Sequence, residues 1–357
     1  ELPFDCQLSC PYCYTRPLSE RGGATSAVNR NAVSAAAELV AQNCAAARTP
    51  FQLVIQGRGE PTRRWSDLQW SVGATQEAAR AAGVGWSGHL STNAQFDKAA
   101  ARWVGEHFTH VTVSCDGPPR IQDAIRPRKD GASSSSGLAE NVAVLKEAGT
   151  AVEARVSVTS ANAECLDEVL TYIVQVLDIK AVRMEPLFAV DPMASSLPSP
   201  GILARNCLMA CDAGSRLGAE VRFAGARLTE IHGEHCEVLR QTLRLAPDGR
   251  AVNCLHGACS RRERAGVLGE YDDASNRFEV HKSAVSRLKE ISGTIPESCE
   301  SCLNVFHCAR ACPDDCPART GVEGWRCRWQ QMLSEEWIIR AVWESNGRKS
   351  EPSPRAT

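Results

Sequence analysis

Seventeen cysteines stand in this chain, and their placement limits its fold more than any other feature. Three fall between positions 6 and 13 and nine between 236 and 327, while Cys44, Cys115, Cys165, Cys207 and Cys211 are scattered between them. Disulfide scaffolds are short secreted domains, and a chain of 357 residues without a visible secretory signal does not match that description. Clustered cysteines in a long chain point to metal or redox chemistry. The remaining composition is that of an ordinary globular protein, 43% hydrophobic and 23% charged. A formal net charge of -2 gives no reason to expect a nucleic acid or an anionic membrane as partner. No apolar run approaches the roughly 20 residues of a membrane span, since even the alanine-rich stretch 31–47 is broken by Glu38, Gln42 and Asn43.

Between 51 and 217, short runs rich in Val and Ile alternate with segments of helical periodicity. The runs predict strands at 51–56, 84–91, 110–114, 152–159 and 180–186. Helices are predicted at 27–47, 67–82, 97–107, 137–148, 163–177 and 202–217, the apolar spacing being clear at Val169, Ile173, Val176 and Leu177. If 2–4 ends one more strand, the chain holds six β-α units. Repeated βα units predict an α/β fold with a parallel sheet and outer helices. Such a sheet can curl into an open barrel with its ligands at the carboxyl ends of the strands. The stretch 188–201 reads as a linker, 133–136 as a solvated loop, 236–327 as loop-like, 328–345 as a helix and 347–357 as a disordered tail.

The first constellation reads Cys6-Gln7-Leu8-Ser9-Cys10-Pro11-Tyr12-Cys13. Soft thiolates select zinc, copper(I) or iron–sulfur clusters. Structural zinc wants four closed ligands, and only three are local here, with no His or fourth Cys nearby. Three ligands on a four-iron cluster leave one iron open for substrate chemistry. Cys-x3-Cys-x-aromatic-Cys is the signature of the radical S-adenosylmethionine superfamily, and the chain resembles it at every position. The resemblance implies a [4Fe–4S] cluster on Cys6, Cys10 and Cys13 whose open iron chelates the methionine amino and carboxylate groups. It further implies reductive cleavage to a 5′-deoxyadenosyl radical, with Tyr12 near the adenine.

Weaker motifs follow in the order that this resemblance implies. Gln56-Gly57-Arg58-Gly59-Glu60-Pro61 is similar to the family's Gly-Gly-Glu-Pro loop, in which the backbone and Glu hold the methionine amino group. Arg58 departs from that pattern, which normally has glycine there. His89-Leu90-Ser91-Thr92-Asn93 resembles the family's strand ending in Thr-Asn-Gly. Ser114-Cys115-Asp116-Gly117-Pro118, with 121–127, resembles a run in the peptide-modifying branch. These likenesses make Gly57, Gly59, Glu60, Asn93, Ser114 and Asp116 candidate cofactor contacts, the last two to ribose or carboxylate. Arg155 is expected to reach the methionine carboxylate with its planar fork, and Cys115 to pack as a small hydrophobe.

The second constellation runs Cys236-x12-Gly249-x4-Cys254, then Cys299-x2-Cys302-x5-Cys308-x3-Cys312, then Cys327. A zinc ribbon would repeat Cys-x2-Cys pairs, and only Cys299 and Cys302 form one. The spacing resembles the SPASM extension of the same superfamily at all seven cysteines and the glycine. That likeness implies two auxiliary [4Fe–4S] clusters, making three in all, with S-adenosyl-L-methionine as cofactor. Cys299, Cys302, Cys308 and Cys327 would hold one, and Cys236, Cys254 and Cys312 the other. Cys259 or Cys316 would complete the latter, His235 and His256 being weaker candidates, or its fourth iron stays open for substrate. Cys207-x3-Cys211 share one helix face, and packing is the preferred reading over a metal pair.

The resemblance implies a partial (β/α)6 TIM-like barrel over 1–217, a SPASM domain over 218–330, and a C-terminal helix with a disordered tail over 331–357. It implies an oxidoreductase that abstracts hydrogen from an unactivated carbon, with a ribosomally made peptide as leading substrate and a crosslink or side-chain oxidation as product. A small-molecule dehydrogenase is the alternative, and a non-enzymatic electron carrier or zinc module the third reading. Sulfatase maturation is disfavoured, because Leu255 stands where that activity places an Asp, unless Asp248 or His256 substitutes. With five residues before Cys6, a peptide-binding domain is not expected, so a separate leader-binding protein or a short substrate is. An external one-electron reductant and a cytoplasmic setting complete the expectation.

Overall fold

The computed structural model describes residues 1–13, 15, 27–56, 58–187, 196–223, 226–231, 242–252, 266–308 and 324–346. Helix α1 (Arg30–Ala47) leads into β1 (Phe51–Ile55), followed by α2 (Trp65–Ala81), β2 (Trp86–Thr92), α3 (Lys98–His107) and β3 (His110–Ser114). Next come α4 (Pro119–Ile125), α5 (Leu138–Glu147), β4 (Ala151–Val158), α6 (Leu166–Gln175), β5 (Ala181–Pro186), α7 (Pro200–Arg216) and β6 (Glu220–Phe223). Local chemistry sets several starts. The Asn29 side-chain Oδ1 accepts the Ala32 N–H at the head of α1, and the Asp97 carboxylate accepts that of Ala100 at the head of α3. Pro200 opens α7, where its preset φ fits and its missing N–H is not needed.

Strands β1 to β6 form one parallel sheet in sequence order. No pairing joins β1 to β6, so the sheet is an open, partial barrel. Alternation along the strands builds its core. Val111, Val113, Ala154, Val156, Val158, Val182 and Met184 are buried on the helix-covered side with Leu68, Leu145, Leu170 and Ile173. Each large apolar side chain buried there contributes about 1.5–3 kcal/mol.

The sixth strand is not the one expected. Segment 2–4 stays outside the sheet, and Asp5 makes only an isolated parallel bridge with Gly59. Instead Glu220–Phe223 pairs with β5, carrying the sheet past position 217. The region beyond is also more ordered than its composition implies. Strands β7 (Ala251–Val252), β8 (Val267–Asp272) and β9 (Arg277–Val280) form an antiparallel sheet, and α8 (Lys282–Gly293) follows. Ala251, Leu268 and Phe278 of that sheet pack on Ala36 of α1. Gly249 lies at φ +91°, and a Cβ there would sit 2.6 Å from the Cβ of Ala32. This contact and the positive φ account for the glycine in the second cysteine motif.

Helix α9 (Trp325–Ser345) begins slightly earlier than predicted and lies along α7. Trp329 is fully buried, stacks on Trp325 and meets Phe223 edge-on. Cys207 and Cys211 are buried on α7, which packs on α9, and burial pushes the Cys211 thiol up to about 12. The 133–136 loop is not simply solvated. Ser134 is buried, and the Ser135 N–H and Ser134 hydroxyl donate to the Asp123 carboxylate at 2.8 and 3.1 Å. The linker residues 188–195 and the tail 347–357 lie outside the described residues. Among the described residues no helix is long and apolar enough to cross a membrane.

Candidate active site

Cys6, Cys10 and Cys13 occupy a loop stapled across the carboxyl ends of the first strands. The Glu60 N–H donates to the Asp5 oxygen (2.7 Å), the Ser9 N–H to Pro127 (2.8 Å) and the Lys129 N–H to Gln7 (2.9 Å). Gly59 permits the first contact: at φ +93° it lies so close that a Cβ would stand 2.3 Å from the Asp5 oxygen. The Gln7 amide donates to the Asn93 side chain and to the Gln95 carbonyl, and the Asn93 amide lies 3.9 Å from Cys6 Sγ. Burial pushes Cys6 up to about 12 and Cys10 up to about 11; Cys6 also feels the charges of Cys10 and Cys13, and Cys10 that of Cys13. Buried thiols of this kind ionise only when a cation takes the place of their protons.

Three thiols of one loop are a donor set of the kind that soft metal ions and iron–sulfur clusters accept. Gly57 lies outside the described residues.

Beneath the loop sits Asp116, with no exposure. Its Oδ2 accepts from the Tyr12 hydroxyl and from Arg126 Nε, both at 2.7 Å. Its Oδ1 accepts from Arg126 Nη2 (3.1 Å) and the Ser157 N–H (2.7 Å). Burial pulls Arg126 down, but Asp116 outweighs it and holds the guanidinium above its ordinary value. The four donors that Asp116 accepts from within the protein tie the cysteine loop to β4. Tyr12 is likewise buried, and burial holds its phenol well above the ordinary range. Arg126 is the residue that motif reading left without a role, although its spacing from Asp116 was visible.

Glu60 works in the same way on the other side. Its Oε1 accepts from the Thr92 hydroxyl (2.7 Å) and from the Thr62 hydroxyl (2.8 Å) and N–H (3.2 Å), and its Oε2 from the Asn93 N–H (2.7 Å). Burial raises its pKa against these donors. The carboxylate thus fixes the end of β2 that presents Asn93. Ser114 ends β3 opposite Arg155 of β4. Arg155 is paired with Glu185 of β5, so its fork is engaged within the sheet.

The face of the sheet away from the helices is polar, which is unusual for parallel strands. Arg155, Arg183 and Arg222 stand in register on β4, β5 and β6. They pair with Glu185, Glu153 and Glu220 respectively. Beside them His89 meets His110 edge-on at 4.4 Å, and Thr112 lies within 2.8 Å of His89 Nε2. Burial, then His110 and Arg183, hold His89 down at about 4. Motif reading missed this cluster, whose only sequence signal is the polar alternation of Glu153, Arg155 and Ser157 within a strand.

A pH effect follows. A histidine held from 6.5 down to about 4 resists the proton that the unfolded chain accepts. Its contribution is therefore neutral above the free value and destabilising as pH falls toward the folded one. The protein is expected to lose about 2 kcal/mol at this site between about pH 7 and pH 5. Thermal midpoints of wild type and His89→Gln over that range check it: equal slopes would refute the assignment.

The later cysteines meet at α9. Cys299, Cys302, Cys308 and Cys327 are all half-buried. Gln330 and Gln331 stand one turn beyond Cys327, on its side of the helix. The Gln331 amide donates to Cys302 Sγ at 3.3 Å, and the Cys308 thiol donates to Gln330 Oε1 at 3.4 Å. The helix turn that carries Cys327 therefore meets the loop that carries Cys299, Cys302 and Cys308, in which the Cys302 N–H bonds back to the Cys299 oxygen. Cys236, Cys254, Cys259, Cys312, Cys316, His235 and His256 lie outside the described residues.

No protein-family model and no curated protein matches the chain. Solved structures do. Native anSMEcpe with bound AdoMet aligns over 97% of both chains at 17% identity with a TM-score of 0.71. The same protein with AdoMet and the Kp18Cys peptide aligns over 97% of both at 15% identity and 0.71. Streptococcus suis SuiB bound to its precursor peptide SuiA aligns over 90% of this chain and 72% of its own at 13% identity and 0.57. Both neighbours are of the radical S-adenosylmethionine, SPASM type. The chain has their fold, a partial TIM barrel with six parallel strands.

Proposed function

We propose that this chain is a radical S-adenosylmethionine enzyme. The observation that carries the reading is the placement of Cys6, Cys10 and Cys13 in one loop across the carboxyl ends of a barrel of this fold. When bound, a [4Fe–4S] cluster on these cysteines supplies the electron that cleaves S-adenosylmethionine to a 5′-deoxyadenosyl radical, and clusters on the later cysteines supply an acceptor for the electron left after a substrate radical is oxidised. The chain's own residues do the positioning. Asp116 and Arg126 hold the loop through Tyr12, Glu60 holds Asn93 beside Cys6, and β4, β5 and β6 offer a charged face to the substrate.

Within that activity, hydrogen abstraction from a carbon of a ribosomally made peptide is the favoured course. The peptide complexes of anSMEcpe and SuiB support a peptide substrate, as does a sheet face of paired arginine and glutamate side chains. Sulfatase maturation is not proposed. Leu255 occupies the position of the expected acid, and Asp248, its first substitute, is held by Arg250 at 2.6 Å.

Anaerobically reconstituted protein with a one-electron reductant is expected to convert S-adenosylmethionine to 5′-deoxyadenosine and methionine. No 5′-deoxyadenosine from protein with full iron content would overturn the activity. A co-encoded small peptide that loses hydrogen mass on co-expression would support the substrate class, and an unchanged mass would count against it.

A further inference from the structure

Asn304 sits two residues after Cys302 and four before Cys308, buried to 2% exposure. Among the described residues, neither its Nδ2 nor its Oδ1 meets a hydrogen-bonding partner. A buried polar group left so costs about 1–3 kcal/mol, which native proteins rarely carry without a reason. The residue's backbone is firmly placed, its carbonyl accepting the N–H groups of His307 (2.9 Å) and Cys308 (2.7 Å). Either orientation of the amide leaves an N–H in the loop that carries Cys302 and Cys308. Across from that loop, Gln331 already donates to Cys302 Sγ.

We propose that Asn304 and Gln331 are hydrogen-bond donors to an iron–sulfur cluster held by Cys299, Cys302, Cys308 and Cys327, and that they raise its reduction potential. The proposal rests on the reading that these cysteines hold a cluster. Reduction adds negative charge to the cluster sulfurs, so an N–H aimed at sulfur stabilises the reduced form more than the oxidised one. The two amides approach from different elements, one from the cysteine loop and one from α9, so each acts as a separate positioning residue.

The test is an EPR-monitored redox titration of the full reconstituted chain, comparing wild type with Asn304→Leu and Gln331→Met. Both substitutions keep a similar side-chain outline and remove the N–H. Each is expected to lower the midpoint of one cluster by about three- to tenfold in its reduction equilibrium, the upper value being about 59 mV for one electron. Iron, sulfide and S-adenosylmethionine cleavage are expected to stay at wild-type levels. Midpoints that are unmoved or raised, with full cluster content, overturn this proposal alone. Wild-type iron that reaches only one cluster overturns the reading beneath it. Should a variant fail to assemble, the wild type decides. With 15N in its Asn and Gln side-chain amides, pulsed EPR of the reduced cluster must show their coupling, and its absence overturns the assignment.

Discussion

Replacing Asp116 by alanine is expected to lower the stability of the protein by about 3–5 kcal/mol, the cost of stranding a buried charge. The charge stranded is that of Arg126, whose guanidinium is buried and makes its two closest bonds to Asp116. Three elements lose their common anchor together: the cysteine loop at Tyr12, the end of β4 at the Ser157 N–H, and the segment after α4 at Arg126. Denaturant midpoints measured on metal-free protein isolate the fold from cluster loss. The double variant Asp116→Ala with Arg126→Met removes the stranded charge and is expected to recover part of the loss, since a pair replaced by apolar volume is far less harmful than a pair broken. A loss under about 1 kcal/mol for the single variant, or a double variant no better than it, would mean that the pair is solvated and does not anchor the loop.

The same site shows where reading the sequence reaches its limit. The cysteine spacings were legible because cluster chemistry demands ligands at short, fixed separations. Strand β3 was legible because Val111 and Val113 mark its buried side within a short run. Strand β6 was not, since it has four residues, of which Glu220 and Arg222 face away from the helices. Strand β7 has two residues, and α4 begins at the second residue of a Pro-Pro pair. Asp116 was a candidate cofactor contact through the likeness of its Ser-x-Asp-Gly-Pro run. Its partner Arg126 lies only ten residues on, yet the pairing depends on how the chain turns through α4. The cluster of His89, His110, Glu153 and Arg183 depends on register across four strands, which residue order alone does not fix.

Replacing Cys10 by alanine is expected to reduce 5′-deoxyadenosine formation to the uncatalysed background while costing only about 1 kcal/mol of stability. Cys10 is buried among apolar neighbours, where an alanine keeps most of the packing, and the bonds that staple the loop run through Asp5, Gln7, Ser9 and Tyr12 instead. The loss should therefore be one of chemistry at a correctly folded site. Cys302→Ala is expected to differ in kind. It removes a thiol that lies against α9, far in sequence from the first loop, so cleavage of S-adenosylmethionine should persist in part while product formation on the substrate is lost. The contrast between 5′-deoxyadenosine yield and modified product, measured for both variants, reads the division of labour directly. Equal loss of both products in both variants leaves one physical explanation to separate from the others, that the later cysteines hold the fold together through their metal. Melting of Cys302→Ala settles that point: a midpoint near wild type with no cleavage would break the assignment of the first step to Cys6, Cys10 and Cys13 alone.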